Sequence, residues 1–170
     1  SEGPGAGSAS AARPSGAALR SDDALPLTVV LVRHGETPST ISRTFSGSGT
    51  PGPSLAPAGR VQAAEAADLV FRIGRSRWPD LPHPSAIVSS PMVRAQETAA
   101  AVGRRLGLHV ETDTRFAECH FGRWEGLTAT QIEEAEPGGL REWNADPRRP
   151  TPGGEAIVTV GDRFAAALED

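Results

Sequence analysis

The chain has 170 residues and a net charge of −4, which bounds it to one domain, or one domain with a tail, and argues against non-specific nucleic-acid binding by that domain. A single cysteine, Cys119, excludes an internal disulfide framework or a cysteine-based metal site and fits a reducing cytoplasm. The longest apolar stretch, Leu27 to Val32, is far too short to span a bilayer, and no basic segment followed by an apolar run marks a signal peptide.

Residues 1–24 are Gly, Ala, Ser and Pro without periodicity and read as a disordered linker or tail. Residues 25–170 read as the folded domain. Leu27–Arg33 is a continuous apolar run that ends in charge, the pattern of a buried parallel strand with a functional C-terminal end. Phe45–Pro57 is a Ser/Gly/Pro-rich surface loop, and Ala58–Ile73 is helical with Gly74 after it. Ser85–Ser89 is a second short strand. Pro91 at position N1 is expected to open a helix that runs to about Leu106. Leu108–Thr112 is a third strand. Thr128 and Gln131 form a capping box for a helix that Pro137 stops. Glu155–Leu168 places Ile157, Val160, Phe164 and Leu168 at helical spacing. Strands alternating with helices predict an α/β fold, a three-layer sandwich with a mostly parallel sheet and helices on both faces. Such sheets take ligands at the C-terminal ends of their strands.

Strand one ends in Arg33-His34-Gly35-Glu36-Thr37. Phosphoryl transfer needs a nucleophile and positive groups around the phosphate oxygens. A histidine supplies the first and paired guanidinium hydrogen bonds the second. Gly35 is expected to let the backbone approach the phosphate closely. By itself the tripeptide reads equally well as an ordinary polar strand end. Arg94 follows strand two in the first turn of a helix, where anions are already favoured. Alone it reads as a solvated arginine; at the matching strand end it gains meaning. After strand three, Glu118 precedes Phe121 and Trp124, which are expected to form an apolar pocket that raises its pKa for proton donation. An isolated acid near aromatics is otherwise a surface residue.

Taken together, LVRHGET, SSPMVRAQETA, AECHFGRWEGLT and PGGE, in this order over residues 27–170, resemble the histidine phosphatase superfamily in the branch related to phosphoglycerate mutases. The resemblance implies a phosphoglycerate mutase-like fold, a phosphohistidine on His34, phosphate binding by Arg33 and Arg94, Glu118 as proton donor, and no metal or cofactor. It also implies a substrate side lined by Gly35, Thr40, Ser46 and Gly47, acting on a small phosphorylated metabolite. Thr40 stands where the family commonly has asparagine, and Pro53–Gly59 departs from the family's usual loop, so substrate preference is not carried over. Thr40 and Arg43–Gly49 are most similar to the phosphatase half of actinobacterial bifunctional ribonuclease H–acid phosphatase proteins, themselves similar to α-ribazole phosphatases. A ribonuclease H half upstream would account for the linker.

The family has a second catalytic histidine on a late strand. Of His34, His83, His109 and His120, only His34 sits in a catalytic motif. The chain does not begin with Met and ends inside a helical pattern, so the expectation is a piece that lacks its C-terminal part, with the second histidine beyond residue 170. Three functions stay open: a phosphomonoester hydrolase, a mutase, or a phosphate-binding module without catalysis. Trp143 and Asn144 are expected to be structural, and Arg104, Arg105, Arg148 and Arg149 a solvated face.

Overall fold

The structure, a computed structural model, describes residues 26–170; the expected linker lies outside them. Its longest helix pair is built from small residues. Helix α2 (Pro57–Arg72) turns Gly59, Ala63, Ala67 and Val70 inward, and helix α3 (Val93–Leu106) turns Arg94, Thr98, Val102 and Gly103 inward. Ala67, Val70, Ile73 and Val102 form the aliphatic core, with Ile87, Ala101 and Leu106 packed against it. Each large aliphatic side chain buried there contributes about 1.5–3 kcal/mol. Val93, not Pro91, is the first helical residue of α3, because Met92 holds an extended backbone and acts as the N-cap. Gly107 closes the helix at φ 69°, the left-handed cap that a residue without Cβ adopts at least cost.

Strands β1 (Ile87–Ser89) and β2 (Val110–Thr112) flank α3 and pair in parallel, with Ile87 opposite Val110 and Ser89 opposite Thr112. A parallel pair joined by a helix is the α/β unit expected from the pattern. The first expected strand differs. Residues 26–33 belong to no ladder, and Leu27, Val29, Val30, Leu31 and Val32 are all exposed, Leu31 by 89%. A run apolar on both faces becomes a buried strand only where neighbours cover it and supply hydrogen bonds. Among the described residues no strand lies beside it.

The other side of the molecule is aromatic. Phe45 meets Phe121 and Trp124 edge-on at 5.0 and 6.2 Å, and Trp143 meets Trp124 and Phe121 at 5.9 and 6.2 Å. Trp143 is therefore structural, as expected. Helix α4 (Ala129–Ala135) opens with the Thr128–Gln131 capping box and buries Ile132 completely. After the Pro137-Gly138 turn comes helix α5 (Gly139–Ala145), which the sequence pattern did not announce. The last helix, α6, covers Ile157–Glu169, two residues later than expected, because Glu155 is used elsewhere. The four expected solvated arginines are exposed. Arg105 pairs with Asp68 and lies over the Phe71 ring, and Arg149 pairs with Glu142.

Candidate active site

A cavity of about 370 Å³ collects residues from four separate segments: Arg33 and His34 at the end of the apolar run, Ser46 in the loop, Arg94 at the start of α3, and Glu118 with Phe121 after β2. The wall between them is a short helix, α1 (Pro38–Ser42), followed by Arg43 and Thr44. Arg33, His34 and Arg94 line this one cavity. A more open depression of about 480 Å³ lies over α4, but Glu133 and Glu134 line it without a cation, so it is unsuited to phosphate.

Most of these side chains are placed by identifiable contacts. The Nδ1 of His34 lies 2.7 Å from the carbonyl oxygen of Gly35. A carbonyl only accepts, so Nδ1 carries the proton and the free lone pair is on Nε2. Gly35 has a packing role that the sequence does not announce. A β-carbon there would run into the backbone of Gly59, and one on Gly59 would run into Glu36. The glycine pair lets α2 approach the His34 segment; Gly35 itself does not line the cavity. Its N–H donates to Thr98 Oγ1 (3.1 Å), and that hydroxyl donates to the Arg94 carbonyl (2.8 Å). Thr98 thus links the His34 and Arg94 segments through one buried hydroxyl.

Arg94 is only 3% exposed. Its guanidinium donates to the Ser46 carbonyl (2.9 Å) and to Ser46 Oγ (3.4 Å). Burial pulls its pKa below the ordinary arginine value, while Glu118 and Glu125 act in the opposite direction; a guanidinium stays charged regardless. Gly47 supports the site from behind: its N–H donates to Glu125 Oε1 (2.8 Å) and it is buried outside the cavity lining. Glu125 Oε2 is buried without a hydrogen-bond partner among the described residues. Thr40 lines the cavity, but its hydroxyl is engaged in the α1 capping box with Thr37, Oγ1 to Oγ1 at 3.1 Å.

Glu118 lines the cavity and is solvent-exposed, with Oε1 accepting the Cys119 N–H at 2.7 Å. The expected apolar enclosure is half formed. Phe121 lines the cavity, whereas Trp124 is buried in the aromatic cluster and donates from Nε1 to Glu136 (3.3 Å). The backbone of this segment is held by Arg163 of α6, which donates to the carbonyls of Arg115, Ala117 and Glu118 and pairs with Glu155 at 3.0 Å. Glu155 Oε2 also accepts the His120 N–H (3.1 Å). That pairing with Arg163 holds the Glu155 carboxyl below the usual carboxylate range. The PGGE motif pointed to this place, though not to its partner; nothing local singles out Arg163, Thr98 or Gly59. His83, His109 and His120 are exposed and lie outside the cavity lining. His120 Nδ1 accepts the Gly122 N–H, and His83 Nε2 contacts the Gly74 carbonyl.

An α/β unit with an imidazole and arginines on one cavity wall is an arrangement suited to an anionic ligand. Residues 29–170 match the model of the histidine phosphatase superfamily (branch 1), and the chain belongs to that family. Its fold is the α/β, phosphoglycerate mutase-like fold. The chain is 38% identical over 135 residues to the bifunctional protein Rv2228c of Mycobacterium tuberculosis, covering 79% of this chain and 34% of that protein. It is 36% identical over 135 residues to glucosyl-3-phosphoglycerate phosphatase of Mycolicibacterium vanbaalenii, covering 79% of this chain and 55% of that one. The native structure of a mycobacterial glucosyl-3-phosphoglycerate phosphatase matches with a TM-score of 0.69 at 34% identity, over 80% of this chain and 59% of that chain. The chain therefore spans less than two thirds of the length of these relatives.

Proposed function

We propose that this chain is the phosphoryl-transfer part of a phosphomonoester hydrolase working through a phosphohistidine on His34. The observation that carries the reading is the tautomer set by the Gly35 carbonyl, with His34 in one cavity with Arg33, Arg94 and Glu118. The Nε2 lone pair attacks phosphorus as the ester P–O bond breaks, and the Glu118 carboxyl gives its proton to the departing oxygen. In the second step the Glu118 carboxylate takes a proton from water, whose oxygen attacks phosphorus, and the P–N bond breaks to release phosphate. Arg33 and Arg94 hold the equatorial oxygens, each charge-assisted hydrogen bond contributing about 1.5–3 kcal/mol. Guanidinium groups supply all the positive charge this route needs, so it calls for no metal.

The substrate proposed is a small phosphorylated metabolite, a class in which the related glucosyl-3-phosphoglycerate phosphatases supply the model. Net acidity supports a domain that binds no nucleic acid itself, and the lone buried Cys119 supports a reducing, cytoplasmic setting. Among the described residues no helix is long and apolar enough to cross a membrane.

Replacing His34 by Ala in the full-length protein is expected to abolish turnover of a phosphomonoester, by about a thousandfold or more, together with the acid-labile label left by a phosphorylated substrate. Retention of that label in the variant overturns the nucleophile assignment. The position of His83, His109 and His120 outside the cavity favours one other reading, an anion-binding module. Binding of a phosphate analogue without hydrolysis by the same full-length sample would establish it in place of the hydrolase.

A further inference from the structure

The cavity holds three arginines, and the phosphate uses two of them. Arg43 is the third, on the wall after α1. Its backbone lies at φ 56°, ψ 39°, the left-handed conformation at a helix C-cap. Glycine adopts that conformation without strain because it lacks the β-carbon that crowds the following carbonyl, and asparagine tolerates it because its short polar side chain bonds locally. Among the described residues, only Trp78 is another non-glycine residue with positive φ, and it does not line the cavity. Strain kept at a binding wall points to a use for the side chain. Arg43 has no carboxylate within ion-pair distance and donates no side-chain hydrogen bond among the described residues, unlike Arg94, which is tied to Ser46. The wall around it is polar, with Ser39, Thr40 and Thr44, and Glu118 is the one carboxylate lining the cavity.

We propose that Arg43 determines specificity by pairing with a second anionic group, a carboxylate or a further phosphate, on the leaving part of the substrate. This rests on the phosphatase reading for the assignment of Arg33 and Arg94 to the reacting phosphate. It makes the preferred substrate a small, polar, doubly anionic phosphomonoester. The pairing is absent when the ligand is phosphate alone, so the residue discriminates between ligands without taking part in the chemistry.

The test measures binding of two probes to the full-length protein by titration calorimetry: inorganic phosphate, and 2-phosphoglycolate, which adds a carboxylate. Arg43→Asn suits the left-handed backbone and keeps the fold; Arg43→Lys keeps the charge. The parent is expected to bind phosphoglycolate more tightly than phosphate. Asn is expected to weaken phosphoglycolate by about threefold to tenfold, the range of a partly exposed ion pair, and leave phosphate unchanged. Lys restores part of the loss. A parent that does not prefer phosphoglycolate, an Asn variant that weakens both probes alike, or one that moves neither overturns the proposal. The expected pattern in a protein that turns over no ester would remove the hydrolase reading and leave the role of Arg43 standing.

Discussion

The two sides of the cavity are held in different ways. The Glu118 side is cross-tied: Arg163 clasps three backbone carbonyls and Glu155, and four aromatic rings pack beneath. The His34 side hangs on the Thr98 hydroxyl, the Gly35–Gly59 approach, and contacts from α2, after a run with no ladder of its own. Side chains that must be positioned to a fraction of an ångström need support from beyond themselves. One side draws it from an ion-pair network, the other from close backbone packing and one relay. The two should therefore fail differently.

After the loss of His34 itself, the largest effect is expected where the sides meet. Arg94→Ala removes a buried guanidinium from the cavity and from Ser46, and should lower kcat/KM by about a hundredfold to a thousandfold in steady-state assays. Arg94→Lys should recover little, since a point charge cannot reproduce the paired geometry. Next come changes that damage one side at a time. Gly35→Ala forces a β-carbon into Gly59, and a loss of about 3 kcal/mol in denaturant unfolding is expected. Arg163→Ala leaves Glu155 and three carbonyls without their donor and should cost about 2–3 kcal/mol. If Gly35→Ala proves neutral, the close approach of α2 is not what secures the His34 side.

Thr98→Val is a finer cut, because it keeps the shape and deletes only the relay. About 1–2 kcal/mol of stability should go, with a fall in kcat exceeding that of Glu155→Gln. Equal falls would erase the contrast between the sides. Acid separates them further. The folded-state pKa of Glu155 is depressed, so its contribution is present above the ordinary glutamate range near about 4.3 and is lost as pH falls through the lower folded value. Glu155→Gln should therefore flatten the loss of stability below that range, followed by thermal melts at stepped pH. The smallest signal comes from Cys119, whose thiol burial and nearby carboxylates push up to about 11. At pH 8 it should react with a thiol reagent about two orders of magnitude more slowly than a free cysteine, and rapidly only after unfolding.

Much of this was legible locally. The Thr128–Gln131 capping box, the Gly107 cap and the strand–helix–strand order from Ile87 to Thr112 depend on contacts a few residues apart, so composition and spacing carry them. His34, Arg33, Arg94 and Glu118 were singled out by motif position, and the four line one cavity. The Leu27–Arg33 run shows the boundary: its composition is that of a strand, yet pairing depends on a neighbour distant in sequence. The packing role of Gly35 escaped the sequence on the same ground, because a glycine's need for space is visible only when Gly59 arrives from α2.

The amino-acid order by itself determined the family motifs, the helix caps and the chemical types at the cavity. Tertiary structure alone decided the His34 tautomer, the Thr98 relay, the Arg163–Glu155 clasp and the place of Arg43 on the wall. Each of these joins a side chain to a backbone group or cavity whose position is set by packing, and packing is a property of the whole chain rather than of any window within it.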